Sequence, residues 1–214
     1  MSGVRELARY NRFTRITNVL LITLVFTGLV LAQQKNLVSG RSLRELVRES
    51  GQDITVGIGA EGSRPPQNLS TLVGQSDLIL RGIITEERGR LSQDETEVWS
   101  DYVFQVIETI RGRGTGGTIR ITRLGGVAFL EGRMVTYLVE GYPFFHPKEE
   151  YIFFLRKLPD SDFYTPLRGE HGCFLLRDGR VHPVAFPRHP VPRQFGGRAP
   201  QEFVRAIART GLLR

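Results

Sequence analysis

The sequence predicts a mainly β fold: an antiparallel barrel or sandwich carrying a short N-terminal helix and a covering C-terminal helix. Three observations lead there. Asp77 to Gly112 reads as two long antiparallel strands, about eight short β-patterned runs follow one another at close spacing, and turn residues separate them. In the second half of the leading hairpin, Val98, Tyr102, Phe104, Val106 and Ile110 fall on one face, with Asp101, Gln105 and Thr109 on the other. Trp99 shares the face of Asp101. Asp77 to Glu86 supplies the first strand, and the polar run Glu87 to Glu97 reads as the connecting loop.

Before this hairpin, Ser42 and Glu45 have the spacing of a reciprocal helix cap, Leu43, Leu46 and Val47 share a face, and Gly51 stops the run, which predicts a helix over Leu43–Ser50. Asp53 to Ile58 reads as a brief strand, Gly62 to Pro66 as a break, and Ser70 to Gly74 as one helical turn. Beyond the hairpin, Arg111 to Gly117 is a flexible connector. Thr118 to Arg123 alternates with Ile119 and Ile121 inward, and Val127–Leu130 and Arg133–Val139 flank Glu131-Gly132 as a second hairpin. Glu150 to Leu155 is a continuous apolar run, as a strand buried on both faces would be. Asp162 to Leu167 adds another strand, and Cys173–Leu176 pairs with Val181–Val184 across Asp178-Gly179. Pro183, Pro187, Pro190 and Pro192 predict an extended surface segment, after which Pro200 opens a helix with Phe203, Ile207 and Thr210 on one stripe, Val204 beside it, and Gly211 at its end.

The first 32 residues are set apart. Arg5, Arg9, Arg12 and Arg15 precede an uncharged run from Ile16 to Ala32 that closes on Val30-Leu31-Ala32, the layout of a secretory signal peptide. The rival expectation is an uncleaved anchor through residues 16–32, although the run is shorter than the ~20 residues that span a bilayer comfortably. Both place the bulk of the chain outside the cytoplasm, periplasmic or secreted. The expected organisation is therefore a signal segment over 1–32, a linker with a short helix over 33–69, a β-barrel domain over 70–184, and a Pro-rich segment with the last helix over 185–214.

The formal charge is +7, of which residues 1–32 hold a net +3 (four arginines and Glu6), leaving +4. From Arg180 onward seven arginines face Glu202, a net +6, so residues 33–179 come out near −2. Such a middle does not spread a basic nucleic-acid surface over the fold. The one cysteine, Cys173, has no disulfide partner, so an exported domain must be held by its apolar core.

The order of a helical turn, Gln75-Ser76-Asp77-Leu78-Ile79-Leu80-Arg81-Gly82, then Tyr102 to Val106 running into Ile110-Arg111-Gly112, and later Glu150 to Leu155, resembles a known layout. It is similar to the OB-like barrel of netrin modules and tissue inhibitors of metalloproteinases, and to uncharacterised exported bacterial proteins of the same layout, over roughly Ser70 to Val184. The resemblance implies an OB-like antiparallel β-barrel and an extracytoplasmic setting. Members of the inhibitor family engage their protease with an N-terminal cysteine and a disulfide framework, and this chain has neither.

No catalytic constellation is spelled out: no Gly-x-Ser-x-Gly elbow, phosphate-cradling loop or metalloprotease helix occurs. His171, Cys173 and His182 are the candidates for a hydrolase site, but their spacing lacks the tight pairs of a zinc site, and Cys173 ahead of Phe174-Leu175-Leu176 reads as a small buried hydrophobe. The neighbouring carboxylates Glu149 and Glu150 point to opposite faces of a strand and make no acid–base pair. Catalytic residues, metal ligands and cofactors are accordingly expected to be none. Gly141 to Lys148 is the segment that asks for a partner, because Tyr142, Phe144, Phe145 and His146 crowd a loop stiffened by Pro143 and Pro147. These four form the expected recognition lip, with a plug for the barrel's end as the other reading. The expected function is a non-catalytic exported module binding an envelope or extracellular protein or another extracytoplasmic ligand. Its alternatives are an extracytoplasmic hydrolase using a His/Cys site and a single-strand nucleic-acid-binding domain, with membrane contact only through an uncleaved N-terminal segment.

Overall fold

A computed structural model describes residues 41–59, 64–113 and 116–211. The signal or anchor segment expected over residues 1–32 lies outside the described residues. The described residues from Ser42 onward form one compact unit. The helix α1 (Leu43–Ser50) starts at the Ser42–Glu45 capping box, ends at Gly51, and buries Leu43 and Val47. It is clasped from outside by backbone and charge: Leu43 N–H donates to Glu95 O (2.7 Å), the Arg44 guanidinium takes Glu95 in a two-pronged pair, and Arg48 bonds Glu131 (2.9 Å).

The strands are β1 (Ile54–Ile58), β2 (Leu78–Leu91), β3 (Val98–Arg111), β4 (Thr118–Leu124), β5 (Gly126–Leu130), β6 (Arg133–Val139), β7 (Glu150–Lys157), β8 (Phe163–Pro166), β9 (Cys173–Arg177) and β10 (Arg180–Pro183). One sheet has the order β1-β6-β5, the other β10-β9-β7-β2-β3-β4-β8. In the larger sheet β7 also pairs with β8, so the strands β2, β3, β4, β8 and β7 follow one another in a ring of pairings. The fold is mainly β, as the patterning predicts. Two pairings are parallel where antiparallel ones are expected throughout: β1 with β6 and β4 with β8. Both join strands far apart in the chain, where no tight turn dictates an antiparallel return.

Two apolar cores result. Leu80, Phe104, Ile121, Phe153 and Leu155 gather on one side of the ring strands, and Ile79, Ile152, Phe154 and Phe174 on the other. Strand β7 feeds both, which is why its sequence is apolar without alternation. The second core is completed by α2 (Leu69–Gln75), α3 (Pro190–Phe195) and α4 (Pro200–Gly211), with Phe203 of α4 stacked among Phe154, Phe174 and Phe195 at centroid distances of 6.1, 4.7 and 4.9 Å.

Three expectations are amended and one is extended. Strand β2 does not stop at Glu86 but runs to Leu91, because the polar residues beyond it pair with Val98 to Tyr102 while keeping their side chains in solvent. Ile110 leaves the face of Phe104: a register shift between Arg81 and Gly82 on β2 reverses the phase of β3, Ile107 is exposed, and Ile110 packs on the helix-side core. The Pro-rich segment is not wholly extended. Proline is acceptable in a helix's first turn, and Pro190 and Pro192 occupy the first turn of α3, which buries Val191 and Phe195. Finally, the helix and brief strand expected within 33–69 are present as α1 and β1, and β1 is drawn into the small sheet by pairing with β6 from Ile54↔Val135 to Ile58↔Val139.

Candidate binding cleft

The loop between β6 and β7 is built around two side chains that go inward. Tyr142 bridges back to Val139, its N–H donating to Val139 O (3.1 Å), and Phe145 inserts between the rings of Tyr102, Tyr142, Tyr151 and Phe153 at centroid distances of 5.0 to 5.7 Å. Tyr142 and Phe145 are buried, 8% and 1% exposed. Both are therefore turned away from the surface expected of a recognition lip and fill the end of the core among Tyr102, Tyr151 and Phe153.

Arg123 from β4 fastens this plug. It is 1% exposed, and its guanidinium donates to the carbonyl oxygens of Leu124 (3.0 Å), Tyr142 (2.9 Å) and Pro143 while lying 3.7 Å from the centroid of the Tyr142 ring. Three carbonyl acceptors and an aromatic face offset the desolvation of a buried cation. The Tyr142 hydroxyl meets Cys173 Sγ at 3.8 Å, and burial raises the pKa of both the phenol and the thiol, keeping each protonated.

Phe144 and His146 point the other way. Phe144 is half-buried and His146 exposed. With them, Leu138 and Val139 of β6, Pro143, Val184 and Phe186 line an open, largely apolar cleft of about 660 Å³, with Glu140 at its lining as well. Leu138 is 42% and Phe186 45% exposed, so these are large apolar side chains held at the surface. Phe186 lies over Gly141, whose φ of 72° and missing side chain admit the ring; a Cβ there would meet Phe186 at 2.9 Å.

The hydrolase candidates are not assembled. Cys173 is fully buried with its thiol pushed up by burial, the opposite of an activated nucleophile. His182 is exposed on β10 and bonds Arg177 O (3.2 Å). His171 instead meets His189, Nδ1 to Nδ1 3.3 Å. Glu149 pairs with Arg177 and Tyr151, and Glu150 with Arg81, so the two carboxylates serve separate contacts. Among the described residues no three His, Cys, Asp or Glu side chains converge as a metal-ligand set, and no helix is long and apolar enough to cross a membrane.

Leu138, Phe186 and Arg123 escape the sequence reading. Signals existed for two of them. The alternation that turns Ile119 and Ile121 inward also turns Arg123 inward, and with Val135 and Tyr137 inward, Leu138 is an apolar residue on an outward position. Phe186 lies among prolines with no period to place it. Comparison with protein-family models, curated proteins and solved structures finds no match to the chain.

Proposed function

We propose that the protein is a non-catalytic exported binding module, and that Leu138, Phe144 and Phe186 receive an apolar side chain of an extracytoplasmic protein partner. The observation that carries this reading is the cleft: three large apolar side chains line one recess at the surface, where folding alone would bury them. Its volume is within the range of small-molecule pockets, yet such pockets fix their ligand with a few inward polar groups. Here the Tyr142 hydroxyl is turned away to Cys173, and Glu140 and His146 are exposed, which favours a protein side chain over a polar metabolite. Export is proposed from the arginine-rich start and the uncharged run to Ala32.

The ring of five strands is proposed to be an OB-like barrel. Support comes from its closure through β8, which pairs parallel with β4 and antiparallel with β7, while the other pairs are antiparallel. The nucleic-acid alternative has less to offer: the cleft beside β4 and β8 sets Arg120 and Lys157 against Asp162, with Tyr164 as its one ring.

The test is Phe144→Ser and Phe186→Ser, each purified, melted, and used to capture partners from an envelope fraction beside the parent chain. The reading requires that a partner retained by the parent is lost by both variants at nearly unchanged melting temperature. Retention of the same partner by both variants would remove it.

A further inference from the structure

A second constellation adjoins the cleft at Phe186, whose carbonyl oxygen accepts from His189 N–H (3.1 Å) and whose ring lies 6.1 Å from that of His189. The 3₁₀ turn Gly169–Gly172 carries His171, which is 1% exposed, and His189 occupies the position just before α3. On one side of the His171 ring, Nε2 lies 3.3 Å from Glu170 Oε1. A proton on Nε2, facing that carboxylate, would leave Nδ1 as the lone-pair nitrogen. That Nδ1 is directed at Nδ1 of His189, 3.3 Å away, with the ring centroids 4.7 Å apart and the planes inclined by 41°.

We propose that His171 and His189 form a two-imidazole binding site for a divalent transition-metal ion of the zinc and copper class, with Glu170 orienting the buried ring. Three features point the same way. The nitrogen separation of 3.3 Å, which serves as a hydrogen bond between the two rings, is also the spacing an ion needs, since two nitrogens each 2.0–2.1 Å from a tetrahedral ion stand about 3.3–3.4 Å apart. A carboxylate on the far nitrogen is the usual companion of a metal-binding histidine, since it fixes the tautomer and strengthens the donor. Imidazole also selects zinc, copper and nickel over calcium or magnesium. Cys173 is not offered to the ion, because its sulfur is taken by Gly169 O and the Tyr142 hydroxyl. Water completes the coordination from the side of His189, which is partly exposed. A bound ion would strengthen the link between the Gly169–Gly172 turn and the start of α3 that the His171–His189 contact already makes.

The experiment titrates Zn²⁺ and Cu²⁺, separately and with no other ligand, into the purified full chain near neutral pH by calorimetry, with thermal melts alongside. The proposal predicts saturable binding of at least one of these ions, one per chain, with a rise in melting temperature. His189→Ala, at a partly exposed position that leaves the core intact, should weaken binding at least tenfold, and Glu170→Gln by about 10–100-fold. His146→Ala and His182→Ala should leave binding unchanged. Absence of saturable binding, or an affinity undiminished in folded His189→Ala, overturns the site and leaves an imidazole–imidazole hydrogen bond in its place. His171→Gln adds a second loss where it folds, and His189→Ala decides the question without it.

Discussion

Arg123 shows how much a single side chain can organise. Its three carbonyl acceptors belong to Leu124, Tyr142 and Pro143, so one guanidinium on β4 fixes the entry of the β6–β7 loop, and with it which rings of the loop go in and which stay out. Arg123→Met keeps the volume and removes the donors, leaving buried carbonyls without partners. It should cost about 2–4 kcal/mol in a urea melt. Arg90→Met, which breaks a partly exposed pair with Asp101, should cost about 1 kcal/mol or less. Equal effects would mean that Arg123 is not the fastening. At this scale the sequence was half legible. It marked the loop through its aromatics and prolines, but composition does not separate Phe144 from Phe145: adjacent rings in an irregular loop have no period, and only the carbonyl geometry around Arg123 assigns their directions.

Among the elements, those with a strict period were legible, and those that depend on contacts distant in sequence were not. The cap of α1, the alternation of β4, the apolar run of β7 and the stripe of α4 all follow from local spacing, and each stands where it was expected. The phase reversal in β3 comes from the extra residue Ile107, which falls between the partners of Arg81 and Gly82 on β2, and the parallel partners of β1 and β8 are set by where other strands leave an open edge. Gly89 marks one such long-range contact. A Cβ there would lie 1.7 Å from Val127 O, so β5 crosses β2 where a side chain is missing. Gly89→Val should push β5 away at a cost of about 1–3 kcal/mol. Amide exchange in β5 and β6 should rise more than in β7 and β9. Uniformly faster exchange, or none, would contradict the crossing.

The described residues combine one ring of strands, a small second sheet, and helices that cover the outer core, and the phenols buried within them make the fold sensitive to alkaline pH. Tyr102, Tyr137, Tyr142 and Tyr151 are all raised above the ordinary phenol value, in each case chiefly by burial, with Tyr102 pushed up to about 12. A phenol that ionises later in the folded than in the unfolded chain contributes stability that is whole below the unfolded value near 10 and is lost as pH rises through the folded value. Tyrosinate absorbance should therefore rise for these residues together with the loss of circular dichroism as pH climbs above about 10. Ionisation near 10 with the fold intact would refute the buried packing. Function was the least legible level, because the cleft proposed for recognition is built from β6, a loop and the segment after β10, which nothing in their spacing joins. The most direct measurement of that cleft is site-specific photo-crosslinking in an envelope fraction, with the photoreactive residue placed in turn at positions 144, 186 and 107. Ile107 is the control, being 54% exposed and outside the cleft lining. The cleft predicts the same protein adduct from positions 144 and 186 and none from 107; adducts equally frequent at all three positions, or absent from 144 and 186, would contradict it.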